Sequence, residues 1–300
     1  MFDVVIPAHN EAAVIGRCLK AVCRGLPDDA AVVVVTNGCT DDTAARVTAW
    51  PDPRVTGVDV AAASKRAALN AGDAHCEGGG ERPGRARFYV DADVTVDGGD
   101  LTRVARLLDD PAAGVEVAAP QMRVELDGRP WSVQAFYRVW TALPYVREAM
   151  VGSGVFALSA AGRARFETFP DITADDAYVR LHFKAAERRV VSDASFLIQA
   201  PRRLRDVIKI KTRSHFGNLE LRERFPELWA NEEGGAGGGL AALARRPGWW
   251  PALAVYLVVK VVSRRRAEAR LRRGERDVWE RDESTRGPAA ARSTGTGVAS

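Results

Sequence analysis

Ala31-Val32-Val33-Val34-Val35-Thr36-Asn37 (residues 31–37) carries four consecutive valines with no polar residue between them. A strand with one face in water alternates apolar and polar residues. An unbroken β-branched run instead suits a strand buried on both faces, as in a parallel sheet covered by helices. Similar runs lie on either side of it. Val4-Val5-Ile6 ends at Pro7, Val55-Thr56-Gly57-Val58 is a third strand, and Phe88-Tyr89-Val90 is a fourth that ends at Asp91. Helical patterns separate them. Val14, Ile15, Leu19 and Val22 share one helix face; a helix capped by Thr40 or Asp41 carries Ala44, Ala45, Val47 and Trp50; residues 64–71 form another. This β-α-β-α-β-α-β order predicts an α/β fold built on a Rossmann-like doubly wound sheet, with ligands at the carboxyl ends of the strands.

The rest of the chain is less regular. Residues 101–108 read as an amphipathic helix, 115–120 and 122–126 as two strands, 133–146 as one helix, and 155–158 as a strand. Phe136, Tyr137, Trp140 and Trp131 suit core packing better than a sugar face. Asp175-Asp176 opens a helix carrying Val179 and Leu181, residues 234–239 read as a glycine-rich linker, and the tail from 284 has a disordered composition. Residues 249–262 are apolar apart from Lys260, too few for a membrane span. The Trp249-Trp250 pair and Arg264-Arg265-Arg266 at its ends suit an interfacial helix, and a core helix is the alternative.

Composition sets outer bounds. The chain has 300 residues, 46% hydrophobic and 27% charged, which excludes a fibrous or wholly disordered protein. Cys18, Cys23, Cys39 and Cys76 form no C-x-x-C pair and no zinc spacing, as expected of a reducing compartment. The start shows no basic region before an apolar one and no cleavage site. The expected location is therefore cytoplasmic, with peripheral contact at the inner face of the membrane through residues 249–273.

The chemistry gathers where the strands end. Asp91-Ala92-Asp93 places two carboxylates that can share one hard divalent cation, Mn2+ or Mg2+, and such an ion can bridge diphosphate oxygens. Alone, the pair is equally at home in an ordinary turn. It stands, however, in an ordered series. Pro7-Ala8-His9-Asn10-Glu11 follows the first strand, Asn37-Gly38-Cys39-Thr40-Asp41 the second, and Ser64-Lys65-Arg66-Ala67-Ala68-Leu69-Asn70 opens the third helix. Gly152-Ser153-Gly154-Val155-Phe156 and Asp175-Asp176 come after the acid pair.

In that order, over roughly residues 2–220, the chain resembles the family-2 glycosyltransferases of GT-A fold. The resemblance implies roles for particular residues. Pro7, Ala8 and Glu11 would line the base and ribose of a nucleotide-sugar donor, with Asn37 where the family usually has an aspartate and Asp41 closing the same motif. Lys65 would lie near the diphosphate, Asp91 would meet ribose or metal, and Asp93 would bind metal. Gly152, Ser153 and Gly154 would face the acceptor, and Asp176, or Asp175 beside it, would be the general base. A helix N-terminus also favours such an acid pair for structural reasons. In the basic segment 209–215, Arg213 would neutralise the leaving group and His215 would be a third metal ligand; an ordinary surface or core histidine is the alternative.

The expected layout is a catalytic domain over 1–220, with a nucleotide-binding half to about 95 and an acceptor half from 96. A helical basic extension over 221–283 and the tail 284–300 follow. The expected activity is inverting, metal-dependent sugar transfer to a carbohydrate, lipid or small-molecule hydroxyl, or to a polyprenyl phosphate at the membrane surface. Two rivals fit less well. A nucleotidyltransferase wants a glycine-rich basic signature after the first strand, and Ala8-His9-Asn10-Glu11 is not one. A non-enzymatic module binding nucleic acid or membrane through the arginines leaves the ordered motifs unexplained, so no nucleic-acid partner is expected.

Overall fold

The computed structural model describes residues 1–78, 84–147, 154–232 and 237–275. Strands β1 (Phe2–Ala8), β2 (Ala31–Asn37), β3 (Val55–Val60) and β4 (Ala86–Val90) pair in parallel in the order β3-β2-β1-β4. Helices α1 (Ile15–Val22), α2 (Thr43–Thr48) and α3 (Lys65–Gly78) connect them. The valine run behaves as its composition requires. Val32 and Val34 enter one hydrophobic cluster with Val4 and Ile6, while Val33 and Val35 enter the cluster on the other face with Val5. Trp50 lies beyond α2 and packs against the first of these clusters.

The second half extends the same sheet in a mixed sense. It runs through β5 (Thr95–Val96), α4 (Gly98–Leu108), β6 (Val117–Glu125), α5 (Trp131–Ala142), α6 (Pro144–Arg147), β7 (Val155–Leu158), α7 (Ala160–Arg163) and α8 (Asp175–Leu181). Then come β8 (Arg188–Gln199), α9 (Leu204–Arg224), α10 (Gly237–Ala244) and α11 (Trp250–Arg272). The sheet continues from β4 as β7-β6-β8-β5, with β7 antiparallel to both neighbours and β6 parallel to β8.

Several expectations are corrected here. The two strands at 115–120 and 122–126 are one strand, β6, whose register against β8 shifts between Pro120 and Gln121. Proline brings no N–H to the ladder, so an irregularity there is natural. The single helix at 133–146 is two, because Leu143 precedes Pro144 and adopts an extended conformation (φ −75°, ψ 134°). Of the linker, residues 234–236 lie outside the described residues and 237–239 begin α10; the tail 284–300 is likewise outside them. Strand β8 and the long helix α9 are additions that periodicity did not announce.

Helix α11 is part of the packed body. Ala252, Leu253, Tyr256 and Val259 join a hydrophobic cluster with α5 and α9, and Tyr256 stacks on Phe136 with ring centroids 5.5 Å apart. Its outer face leaves Trp250, Leu257, Val258 and Val261 exposed. Among the described residues, no helix is long and apolar enough to cross a membrane.

Candidate active site

The loops after β1 and β2 clasp one another. Asn10 sits in the left-handed region (φ 51°), where its short polar side chain is tolerated, and its Oδ1 accepts from Thr40 N at 2.7 Å. Asp41 accepts from Ala12 N at 3.1 Å and from Thr43 N at 3.0 Å, and Glu11 N donates to Thr43 Oγ1 at 2.8 Å. Much of the two sequence motifs therefore holds the loops in register. Asn37 is buried, with its carbonyl 2.6 Å from His9 Nδ1. Its side-chain Oδ1 is buried and has no hydrogen-bond partner among the described residues. Such an atom costs free energy until an N–H reaches it.

Beside that clasp, α3, β4, β7 and α8 converge on a cleft. Pro7, Lys65, Leu69, Tyr89, Asp91, Gly154, Phe156, Asp175 and Asp176 line it. Lys65 Nζ lies 2.9 Å from Asp91 Oδ1 and 3.1 Å from Asp175 Oδ2, so one ammonium joins the two ends of the acid series. Burial opposes its charge, but the Asp175 and Asp91 carboxylates outweigh burial and raise its pKa above the ordinary lysine value. Asp176 has no ion pair among those found in the described residues. Burial, and then the Asp175 charge, push its carboxyl above the usual carboxylate range, while Ala177 N donates to its Oδ1 at 2.7 Å.

Gly154 fixes the floor of the cleft. It has φ +112°, its carbonyl accepts from Asp91 N at 2.7 Å, and an added Cβ would lie 2.7 Å from Val94 Cγ1 and 3.4 Å from Asp91 Oδ2. Asp93 lies on the α1 side: its carbonyl accepts from Arg17 at 3.1 Å, and its charge, after burial, helps hold the Cys18 thiol far above its ordinary pKa. The Asp91–Asp93 oxygens, with no Cβ on Gly154 to crowd Asp91, suit a hard divalent cation in donor type. A complete site is another matter. Among the described residues, no three His, Cys, Asp or Glu side chains group so as to hold a metal.

His215 in particular is placed elsewhere. It lies on α9, where burial, then Lys211, Lys260 and Arg264, lower its pKa to about 4. Among the described residues Asp91, Asp93 and His215 do not group as a set of metal ligands. Arg213 is on α9 as well, two positions from Lys211 and about 200° around the helix from it. Gly152 and Ser153 lie outside the described residues.

On the same helix, Lys211 lies against two aromatic side chains of the core. Its Nζ stands 3.4 Å over the Trp140 ring and 5.7 Å from the Phe136 centroid, and burial pulls the amine down to about 7. The signal available in the sequence was helical periodicity, which puts Lys211 and His215 on one side and Arg213 on another.

Comparison with known proteins agrees with this arrangement. Residues 3–165 match the model of the family described as glycosyl transferase family 2. Among solved structures, the chain resembles the mannosyltransferase PcManGT from Pyrobaculum calidifontis in complex with GDP-Man and Mn2+ (TM-score 0.60, 19% identity, 90% of this chain and 86% of that one). It also resembles glucosyl-3-phosphoglycerate synthase from Mycobacterium tuberculosis in complex with Mn2+, UDP and glucosyl-3-phosphoglycerate (TM-score 0.50, 19% identity, 75% and 79% covered). At that identity the likeness concerns the fold. A search of curated proteins gives no significant match.

Proposed function

The chain belongs to glycosyl transferase family 2 and is a glycosyltransferase; from that premise we propose that it moves a sugar from a nucleoside-diphosphate donor to an acceptor oxygen with inversion, using Asp176 as base. The observation that carries this reading is the contrast within the acid pair. Asp175 is ion-paired to Lys65, whereas Asp176 has raised proton affinity and faces the same cleft. A base needs both reach and a pKa near the working pH.

In the proposed step the acceptor oxygen attacks the anomeric carbon and its proton passes to Asp176. The bond from the anomeric carbon to the diphosphate breaks, and its electron pair leaves on the nucleoside diphosphate. Pro7, Ala8, Glu11 and Asn37 take the nucleoside, and the unpartnered Asn37 Oδ1 supports a donor N–H there. Asp41 contributes by holding the two loops together. Lys65 lies at the diphosphate end, Gly154 beside the reacting sugar, and the division at about residue 95 separates donor from acceptor half. A divalent ion, Mn2+ or Mg2+, held by Asp93 and Asp91 would supply charge neutralisation of the diphosphate. Both solved structures named above contain Mn2+.

The test is a thermal-shift screen of nucleotide-sugars with Mn2+ on wild type and Asp93→Ala. A donor should stabilise the wild type more than the variant, and equal shifts across the panel would reject the donor site.

A second reading concerns location. Trp250, Leu257, Val258 and Val261 stay exposed on α11 just before Arg264-Arg265-Arg266, a combination that favours peripheral contact with an anionic membrane and a lipid-linked acceptor. Replacing Leu257 and Val261 by Ser should reduce co-sedimentation with anionic vesicles. Unchanged partitioning would rule this reading out.

A further inference from the structure

Helix α3 lies flush on the sheet. A Cβ on Gly72 would run into Val5 Cγ1, and Ala68 and Leu69 are buried in the same hydrophobic cluster as Val5. The helix is therefore a fixed reference for whatever its side chains hold. At its first turn Lys65 is bonded to Asp91 and Asp175. Asn70 lies further along. Its Oδ1 accepts from Phe169 N at 2.8 Å and its Nδ2 donates to Phe169 O at 3.1 Å. Phe169 lies 99 residues further along the chain. Both ends of one amide are thus matched to both backbone groups of one residue. With Oδ1 and Nδ2 exchanged, each would meet its own kind.

The sequence favours this grip. Phe169 precedes Pro170, and the residue before a proline is turned toward an extended conformation. An extended residue shows its N–H and C=O to the same side, so Asn70 can pair with that edge as a neighbouring strand would. The Phe169 ring is buried, with its centroid 5.1 Å from that of Tyr89, which lines the cleft. From Phe169 to Asp175 the chain has no helix or strand of its own. Both ends of this stretch are tied to α3, Phe169 by Asn70 and Asp175 by Lys65, while α9 meets Thr173 and Ala174 through Glu220 and Gly217. A further α3 tie, Arg66 to Asp171 at 3.4 Å, is exposed on both sides and adds little.

We propose that Asn70 is a positioning residue for the transfer step: by fixing the Phe169 backbone to the helix that carries Lys65, it sets the reach of Asp176 toward the attacking oxygen. The inference rests on the reading of Asp176 as base. Asn70 is not among the residues that line the cleft, so its loss should act through the acid pair and leave donor binding intact. A displacement of about 1 Å in a catalytic group can slow a reaction about a hundredfold.

The test uses the full chain with GDP-mannose and UDP-glucose as donors, Mn2+, and water as acceptor, read as single-turnover release of the nucleoside diphosphate. In this step a water oxygen attacks the anomeric carbon and its proton passes to Asp176. The bond to the diphosphate breaks, and its electron pair leaves on the nucleoside diphosphate. Asn70→Ala removes both hydrogen bonds. Asn70→Asp keeps the shape but sets a carboxylate against Phe169 O, and it guards against an alanine variant that fails to fold. Release should fall about tenfold to a hundredfold in a folded variant, with donor dissociation constants within about twofold of wild type. Adding either substitution to Asp176→Asn should slow release no further than Asp176→Asn alone, because the base that Asn70 positions is gone. An asparagine with a merely structural role would slow both backgrounds by the same factor. Amide hydrogen exchange gives a readout that needs no turnover: residues 169–176 should exchange faster in the variants, with β1 and β2 unchanged. Equal losses in both backgrounds, or exchange over 169–176 equal to wild type, overturn the proposal. Release by Asp176→Asn at the wild-type rate, or no binding of either donor by wild type, would instead sink the reading of Asp176 and this inference with it.

Discussion

The two halves of this sheet hold their functional groups by different means. In the first half, strands buried on both faces bring Pro7, Asn37 and Asp91 to one edge, and the loops are closed locally by Asn10, Asp41 and Thr43. In the second half, Asp175 and Asp176 are positioned through α9, which is held by a close glycine contact and one buried carboxylate. The first arrangement tolerates loss of one tie, because the sheet remains. The second adds to the packing of α8 in the core a helix-to-loop approach from α9, so a change there should act mainly on the acceptor side. Lys65 is the link, joined to Asp91 of one half and Asp175 of the other.

That difference can be broken from both sides. Gly217→Val should cost the most, about 2–4 kcal/mol in urea unfolding, because the new side chain must displace Ala174 backbone. A cost below that of the next substitution would show that α9 is not the critical support. Asp41→Ala removes the loop hydrogen bonds to Ala12 and Thr43 and should cost about 1–2 kcal/mol.

Asp176→Asn should act in the opposite direction. Asp176 binds its proton more tightly in the folded chain than in the unfolded one, so ionising it costs stability. The folded state therefore loses stability as pH rises from the ordinary carboxylate range through the raised value. The asparagine variant should be about 1 kcal/mol more stable than wild type at pH 7 and no more stable near pH 3. The same ionisation should give wild-type turnover an acid limb above the ordinary carboxylate range, read from kcat against pH. Leu257→Gln, on the exposed side of α11, should change stability by less than about 0.5 kcal/mol.

The sequence made the two halves unequally legible for the same physical reason. An unbroken valine run has one comfortable environment, so β1, β2 and β4 and the acids at their ends were readable directly. Strand β8 (Arg-Arg-Val-Val-Ser-Asp-Ala-Ser-Phe-Leu-Ile-Gln) is only partly buried and mixes charge with apolar residues, so no clean period marks it. Helix α9 hides its buried positions, Val207, Thr212, Phe216, Gly217 and Leu221, among lysines and arginines. The basic segment 209–215 therefore does not itself show which of its side chains turn toward the core. Nor does sequence separate a ligand-facing acid from a loop tie: Asp41 reads like a donor contact, and its carboxylate binds Ala12 and Thr43 backbone.

The central claim, that Asp176 removes the acceptor proton in a site whose donor end is built independently, is tested most directly by single-turnover sugar transfer in Asp176→Asn beside the donor dissociation constant of the same variant. The predicted result is a transfer rate lower by about 10²–10⁴ with donor affinity unchanged. Transfer near the wild-type rate, or a loss explained by weaker donor binding, would contradict it.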